Sequence, residues 1–328
     1  MASELVMSQE SAVEIPTYTI PPIATFLQRL AAFIIDSLLL GIVGQVLGWT
    51  LSIIFFEIGP YGRFIGLIVE LAYFGVLNSS IGSGRTVGKR IIGITVVDGQ
   101  NHLIGLGRSL LRASILVVPG VLNGWTLPWL QVPFLQWLVS IVVFGVGTAT
   151  IYAMVFNVRA RQGLHDIACG TYVVRPLQPK VAAFPVTNRI HLAISGALMV
   201  IAVIGVTITT FFVSPAAANG FKTIYAIYDQ IQSDNRFFTS TVYDSTSSVN
   251  GGKSNHSLII RIWCKGAPSV AERNVIISGI AFTALSKVQS PNEFDGMQIE
   301  VYSSYDIGIA TGTQSYKTYH SMTEWQNQ

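Results

Sequence analysis

Charge is what this sequence lacks. Only 11% of its 328 residues are Asp, Glu, Lys or Arg, against roughly 25% in an ordinary water-soluble domain. Half of the chain is hydrophobic and mean hydropathy is +0.51. No other scarcity or excess explains this. The 30 Gly, 13 Pro and 2 Cys are ordinary counts that exclude a collagen-like repeat, a disordered polymer and a disulfide scaffold. A single water-soluble globule is excluded too, and a multi-span membrane protein with clustered apolar residues remains.

The clustering is explicit. From Ala113 to Val158, 46 consecutive residues carry no charged side chain. As one helix they would run about 69 Å, against a hydrocarbon core of about 30 Å. Pro119-Gly120, Asn123-Gly124 and Pro128 stand where a hairpin would turn, so two spans are expected, near 108–124 and 131–156. Two more are expected upstream, near 30–56 and 62–80, around a short loop with Gly59, Pro60 and Gly62. A fifth, over 189–213, contains the apolar run Leu192–Val213. Residues 1–23 form a polar tail with Glu4, Glu10 and Glu14 and no basic n-region, unlike a cleavable signal peptide.

Charge sets the expected orientation. The connection 81–112 holds Arg85, Lys89, Arg90, Arg108 and Arg112 against Asp98, and 157–189 holds Arg159, Arg161, Arg175, Lys180 and Arg189 against Asp166. The loops near 57–62 and 125–130 have no Lys or Arg. Short basic loops stay cytoplasmic. Five spans then place the N-terminus and the 177–188 linker inside, and everything after Val213 outside, which in a Gram-negative cell is the periplasm.

Residues 214–328 are different material, with 8 basic and 9 acidic residues against 12 and 8 in residues 1–213. Asn219 is positioned to cap a helix with Phe221, Ile224, Tyr225, Tyr228 and Ile231 on its apolar face. Phe237–Tyr243 and Leu258–Cys264 read as strands around a loop through Val249-Asn250-Gly251-Gly252, and Gln298–Ser303 as a third. Ser269-Val-Ala-Glu272 is a capping box before a helix with Ile276, Ile277, Ile280 and Leu285 on one side. The expected fold is a mainly α transmembrane bundle of about five spans with a short cytoplasmic β ribbon, followed by a C-terminal α+β extramembrane domain.

Three separated motifs lie in the membrane half: Phe26-Leu-Gln-Arg29 through Asp36, Gly84-Arg-Thr86-Val-Gly88-Lys89-Arg90, and Arg161-Gln-Gly-Leu-His165-Asp166. Together, over about residues 20–176, they resemble the RDD family of membrane proteins, named for one arginine and two aspartates. Carried over, these are Arg29, Asp36 and Asp166, and Gly84, Thr86, Gly88 and Lys89 fit the family's GxTxGK segment. The resemblance implies a multi-pass, mainly bacterial protein of the inner membrane, with suggestions of transport and, for some members, cation/proton exchange.

Arg29 and Asp36, seven apart, share a helix face about 10 Å apart along the axis. Arg29 is expected to snorkel to the interface, leaving Asp36 in hydrocarbon. Asp36 then needs Lys89, Arg108, Arg112 or a proton as partner. Glu70 is the other deep carboxylate, and the two acids together are the candidate ion or proton site; the alternative is a structural clamp at the cytoplasmic end. The Gly84–Lys89 segment departs from a phosphate-binding loop, having Ser83 and Arg90 where that pattern needs Gly and Ser/Thr. Arg85, Lys89 and Arg90 there suit anionic lipid headgroups. Ile94–Val97 and Thr171–Val174 are β-branched runs able to pair as the ribbon, with Asp166 facing Arg161 or the Lys89 cluster. His165 and Asp166, adjacent on a helix, are not expected to face each other. The histidines at 102, 165, 191, 256 and 320 lack metal-ligand spacing, Cys264 reads as a core thiol, and neither a cofactor nor an enzyme motif stands out. Ser214-Pro-Ala-Ala-Ala218 faintly resembles a cleavage site, although the preceding span is too long for a signal h-region.

Two functions stay open. In one, the bundle moves a small ion or solute, with Asp36 and Glu70 coordinating and Arg29 tuning them. In the other, the protein is an accessory, assembly or scaffold subunit whose outer domain, 214–328, docks a protein partner. Lipid, and a homo-oligomer or larger complex, are expected partners; nucleic acid is not.

Overall fold

Thr25 opens the first helix. Its hydroxyl accepts from the Gln28 N–H at 3.3 Å while the Gln28 side chain accepts from the Thr25 N–H at 3.0 Å, a reciprocal cap that starts α1 (Phe26–Thr50). The structure, a computed structural model, describes residues 23–125, 127, 132–175, 184–213, 221–247, 254–288 and 293–327. The acidic tail, most of the 177–188 linker, Ser214–Ala218, Asn219 and the loop through Val249–Gly252 lie outside the described residues. α1 begins four residues before the expected Leu30 and stops six short of Phe56. The Thr50 hydroxyl bonds back to the Val46 and Leu47 carbonyls, competing with the backbone ladder, and the chain restarts as α2 (Ser52–Ile58).

A 3-10 turn over Gly59–Gly62 leads into α3 (Arg63–Leu77). Then come α4 (Val87–Ile92), β1 (Thr95–Asp98), α5 (Leu106–Leu122), α6 (Pro133–Phe156, widened by π-helical turns over Ile141–Val146), α7 (Leu164–Cys169), β2 (Thr171–Val174) and α8 (Arg189–Ile208). Four described stretches are long and apolar enough to cross a membrane: Phe26–Thr50, Ser52–Leu77, Pro133–Phe156 and Arg189–Phe211. α5, with 17 residues, is about 25 Å long and runs antiparallel against α3. Its Leu110 packs on Gly75 near one end of the pair, and Arg63 donates to the Val121 carbonyl at the other. Arg29, the Gly84–Lys89 segment and Asp166 gather at one end of the bundle, the motif end, with Gly59–Gly62 at the far end. β1 and β2 pair antiparallel at the motif end, Thr95 opposite Val174 and Asp98 opposite Thr171. Large apolar side chains such as Leu38, Ile42, Ile201 and Ile204 stay exposed on the bundle, as lipid-facing surface requires.

Beyond α8, α9 (Lys222–Gln232), β3 (Phe237–Ser247), β4 (Asn255–Cys264), α10 (Val270–Lys287), β5 (Gly296–Asp306), β6 (Thr311–Ser321) and α11 (Met322–Gln326) form an α+β unit. The sheet order is β3-β4-β5-β6, with β4 and β5 parallel and joined through α10. Alternate residues Leu258, Ile260, Ile262 and Met297, Ile299, Val301 pack with the helices, the period of a one-face-buried sheet. The Ser269 capping box is present and Ile276, Ile277 and Ile280 are buried; Cys264 is a free, buried thiol in the same core. The expected apolar face of α9 is shifted: Ile227 and Ile231 are buried, whereas Phe221 and Tyr225 are exposed. β6, unanticipated in the sequence, closes the sheet as a polar edge strand.

This unit holds the far end of the bundle. The turn between β5 and β6 enters a cleft between α1 and α3, where Ile307 is completely buried. Glycine makes the cleft possible. A Cβ at Gly44 would lie 2.8 Å from the Ile309 carbonyl oxygen, and one at Gly62 2.8 Å from that of Asp306. At Gly66 it would overlap the Ile307 carbonyl oxygen and stand 2.8 Å from the carbonyl carbon.

Candidate functional site

At the motif end the polar residues separate into two buried clusters. In the first, Asp36 on α1 is 1% exposed and accepts from the Tyr73 hydroxyl at 2.6 Å, the Thr86 hydroxyl at 2.6 Å and the Gly88 N–H at 2.7 Å. Its partners are therefore neutral donors, and the expected bond to Lys89, Arg108 or Arg112 is absent. Three donors disperse a carboxylate's charge without importing a second ion that burial would also penalise. The glycine-rich segment is shaped for this contact. Gly84 has a φ of +68°, which glycine adopts freely. Thr86 caps α4, its hydroxyl accepting from the Lys89 N–H, and a Cβ at Gly88 would collide with the Ala32 carbonyl oxygen. Lys89 donates to Asn78, Arg85 to the Thr95 hydroxyl at 2.6 Å and Arg90 to the Gly82 carbonyl, so all three basic side chains have partners within the fold.

Asp166 centres the second cluster. Its fully buried carboxylate pairs with Arg29 of α1 and with Arg112 of α5, the latter through Nε at 2.9 Å and Nη2 at 2.8 Å. It also accepts from the Gly163 N–H and the Thr171 hydroxyl, joining α1, α5, α7 and β2. Burial alone would raise this carboxyl, but Arg29, His165 and Arg112 hold it well below the usual carboxylate range. The expected snorkelling of Arg29 does not occur: it is buried and also donates to the Arg161 carbonyl. Asp166 faces Arg29 and Arg112, not the side chain of Arg161 or the Lys89 cluster. His165 departs from expectation as well. Its Nε2 lies 3.3 Å from Asp166 and 3.2 Å from Arg29, because at the first turn of a six-residue helix both side chains fold toward the same guanidinium. Burial pushes its pKa down to about 4, so the imidazole is neutral at neutral pH, and its Nδ1 has no hydrogen-bond partner among the described residues.

Three cavities share wall residues in succession. At the motif end, about 320 Å³ lies against Phe33, Asp36, Phe74, Lys89, Leu116 and Thr150. In mid-bundle, about 330 Å³ is lined by Phe33, Leu40, Glu70, Phe74, Leu116 and Val117, and bounded by Arg63 and by Gly308 and Ile309 of the β5–β6 turn. Between bundle and sheet, about 400 Å³ lies against Arg63, Trp125, Trp263 and Asp306. Phe33, Phe74 and Leu116 border both of the first two, with the two rings stacked at 6.2 Å. Arg63 borders the second and third; it pairs with Asp306 at 2.7 Å and donates to the Val121 and Asn123 carbonyls. Asp36 and Glu70 are thus not brought together, since each lines a different cavity. Tyr73 was missed as a partner of Asp36, Arg112 as a partner of Asp166, and the Arg63–Asp306 pair altogether; the four-residue spacing of Arg108 and Arg112 on one helix, and a Tyr three residues after Glu70, were the only hints. Among the described residues no group of His, Cys, Asp or Glu is placed to hold a metal ion.

Residues 23–170 match the RDD family. A Bacillus subtilis (strain 168) protein, described as uncharacterized protein YxaI, is 26% identical over 110 residues, covering 34% of this chain and 55% of that protein. The chain therefore spans about half the length of the curated relative it matches. No solved structure matches. Three motifs in family order, the buried Arg29–Asp166 pair and the apolar helices around them fall in one region: residues 23–170 of this membrane protein match the RDD family, and the rest of the chain lies outside the match.

Proposed function

We propose that the bundle conducts a small ion or solute between its two ends. The supporting observation is the row of three cavities, each sharing wall residues with the next. Phe33, Phe74 and Leu116 stand between the first two cavities, and Arg63, paired with Asp306, between the second and third. Glu70 is the one acid lining the mid-bundle cavity, where an ionisable residue at membrane depth is functional by default. Asp36 and Asp166, by contrast, are committed to buried hydrogen bonds and act as structural clamps. The motif end, rich in Lys and Arg, is cytoplasmic, and five crossings put residues 221–327 on the opposite, extracytoplasmic side. An accessory role, with that unit docking a protein partner, is the competing reading.

Flux in proteoliposomes tests the proposal with wild type, Glu70→Gln and Asp36→Asn. Monovalent-cation or proton flux above protein-free background is expected in wild type and absent in Glu70→Gln, with Asp36→Asn reduced in proportion to its loss of folded protein. Background flux in all three overturns conduction and leaves the accessory role.

A further inference from the structure

We propose that the mid-bundle cavity is a binding site for a compact organic monocation, a protonated amine with a small apolar body, with Glu70 as its counter-charge and the β5–β6 turn as its outer wall. Among the described residues the Glu70 carboxylate makes no hydrogen bond or ion pair. Its surroundings are apolar: Phe33, Leu40, Phe74, Leu116 and Val117.

The donor count chooses between kinds of cation. A bare metal ion wants about six oxygen ligands, whereas the side chains lining this cavity offer oxygens from Glu70 and Ser37 only. An alkylammonium needs less. One carboxylate takes its charge, and its carbon body takes the place of water against leucine, valine and aromatic walls. Phe33 and Phe74 both line the cavity, and an aromatic ring attracts a cation held over its face within about 6 Å. A volume of about 330 Å³ is at the small end of ligand pockets, which suits a compact molecule. Arg63 also borders the cavity, but its charge is engaged by Asp306 and by two backbone carbonyls, leaving Glu70 as the unpaired charge. Gly308 and Ile309 complete the wall toward the outer unit, so the turn that anchors this unit to the bundle also shuts the site on that side. Phe33 and Ser37 line the same cavity and are exposed on the bundle surface, which gives an amphiphilic amine a lateral way in from the bilayer.

The proposal names the ligand class of the conduction path suggested above, yet binding is measurable without flux. Benzylammonium is titrated calorimetrically into the full chain in nanodiscs, with benzyl alcohol and sodium chloride as comparison probes. Saturable one-site binding of benzylammonium is expected, weakened at least tenfold in Glu70→Gln, largely kept in Glu70→Asp and absent for benzyl alcohol. In a Ser37→Cys protein, whose native Cys169 and Cys264 are buried, benzylammonium is expected to slow maleimide labelling. Should Glu70→Gln fail to fold, Val117→Phe, which fills the cavity without touching the charge, is expected to abolish binding instead. Absence of binding to wild type, undiminished binding to Glu70→Gln, or sodium displacing the amine at equal concentration overturns the assignment. Amine binding without flux overturns conduction alone; flux without amine binding overturns this inference alone.

Discussion

Adding a single methyl group at Gly66 tests whether the outer unit is held by its inserted turn. A Cβ there would overlap the Ile307 carbonyl oxygen and lie 2.8 Å from its carbon and 3.2 Å from the Gly308 Cα. These are backbone atoms, which cannot swing aside as a flexible side chain does. Either α3 retreats, at the cost of overpacking by about 1–3 kcal/mol, or the turn leaves its cleft and exposes Ile307, worth about 2–3 kcal/mol of apolar burial. Improved helix propensity offsets up to about 1 kcal/mol. Gly66→Ala is therefore expected to lose about 1–2 kcal/mol net. The control is Gly196→Ala in α8, where a Cβ meets nothing within 4 Å and only the propensity gain remains. Thermal unfolding in detergent gives the stability order, and hydrogen exchange over residues 305–310 reports whether the turn has left. If Gly66→Ala unfolds with Gly196→Ala and exchanges like wild type, the turn is not seated as described.

Two further outcomes follow from the motif end. With His165 lowered to about 4 against about 6.5 unfolded, the unfolded chain takes up a proton first as pH falls. Stability contributed by the neutral ring is then complete above pH 6.5 and lost progressively down to pH 4, by about 3 kcal/mol. His165→Gln should flatten that part of the unfolding-temperature profile, and an unchanged profile refutes the assignment. Asp166→Asn leaves Arg29 and Arg112 buried without a counter-charge and should cost about 3–5 kcal/mol. Wild-type unfolding temperature and yield in that variant would show that the cluster is solvated.

Legibility in the sequence followed periodicity and failed where contacts are distant. The apolar runs and the Ser269 capping box carry their structure locally, which is why α6, α8 and α10 were readable to within a few residues, and α1 to within about two turns. β6 was not: Thr311 to Ser321 is polar on both faces, because the strand lies at a sheet edge with little to bury. The three motif residues were visible, their pairing was not. Spacing on α1 suggested a shared role for Arg29 and Asp36, yet Asp166 takes the arginine and Tyr73 and Thr86 take the aspartate, choices settled by how α3, α4 and α7 pack. The glycines of α1 and α3 carry no local signal of their role, because the β5–β6 turn that approaches them lies more than 240 residues further along the chain.

The Arg29–Asp166 pair joins residues 137 positions apart. During synthesis, α1 emerges with its guanidinium long before the carboxylate meant for it exists. Until α7 is made, that arginine has no carboxylate to pair with. The motif end is therefore completed only when the last helix of the matched region has been made, and an N-terminal fragment ending before Asp166 lacks the acid that joins α1 to α5.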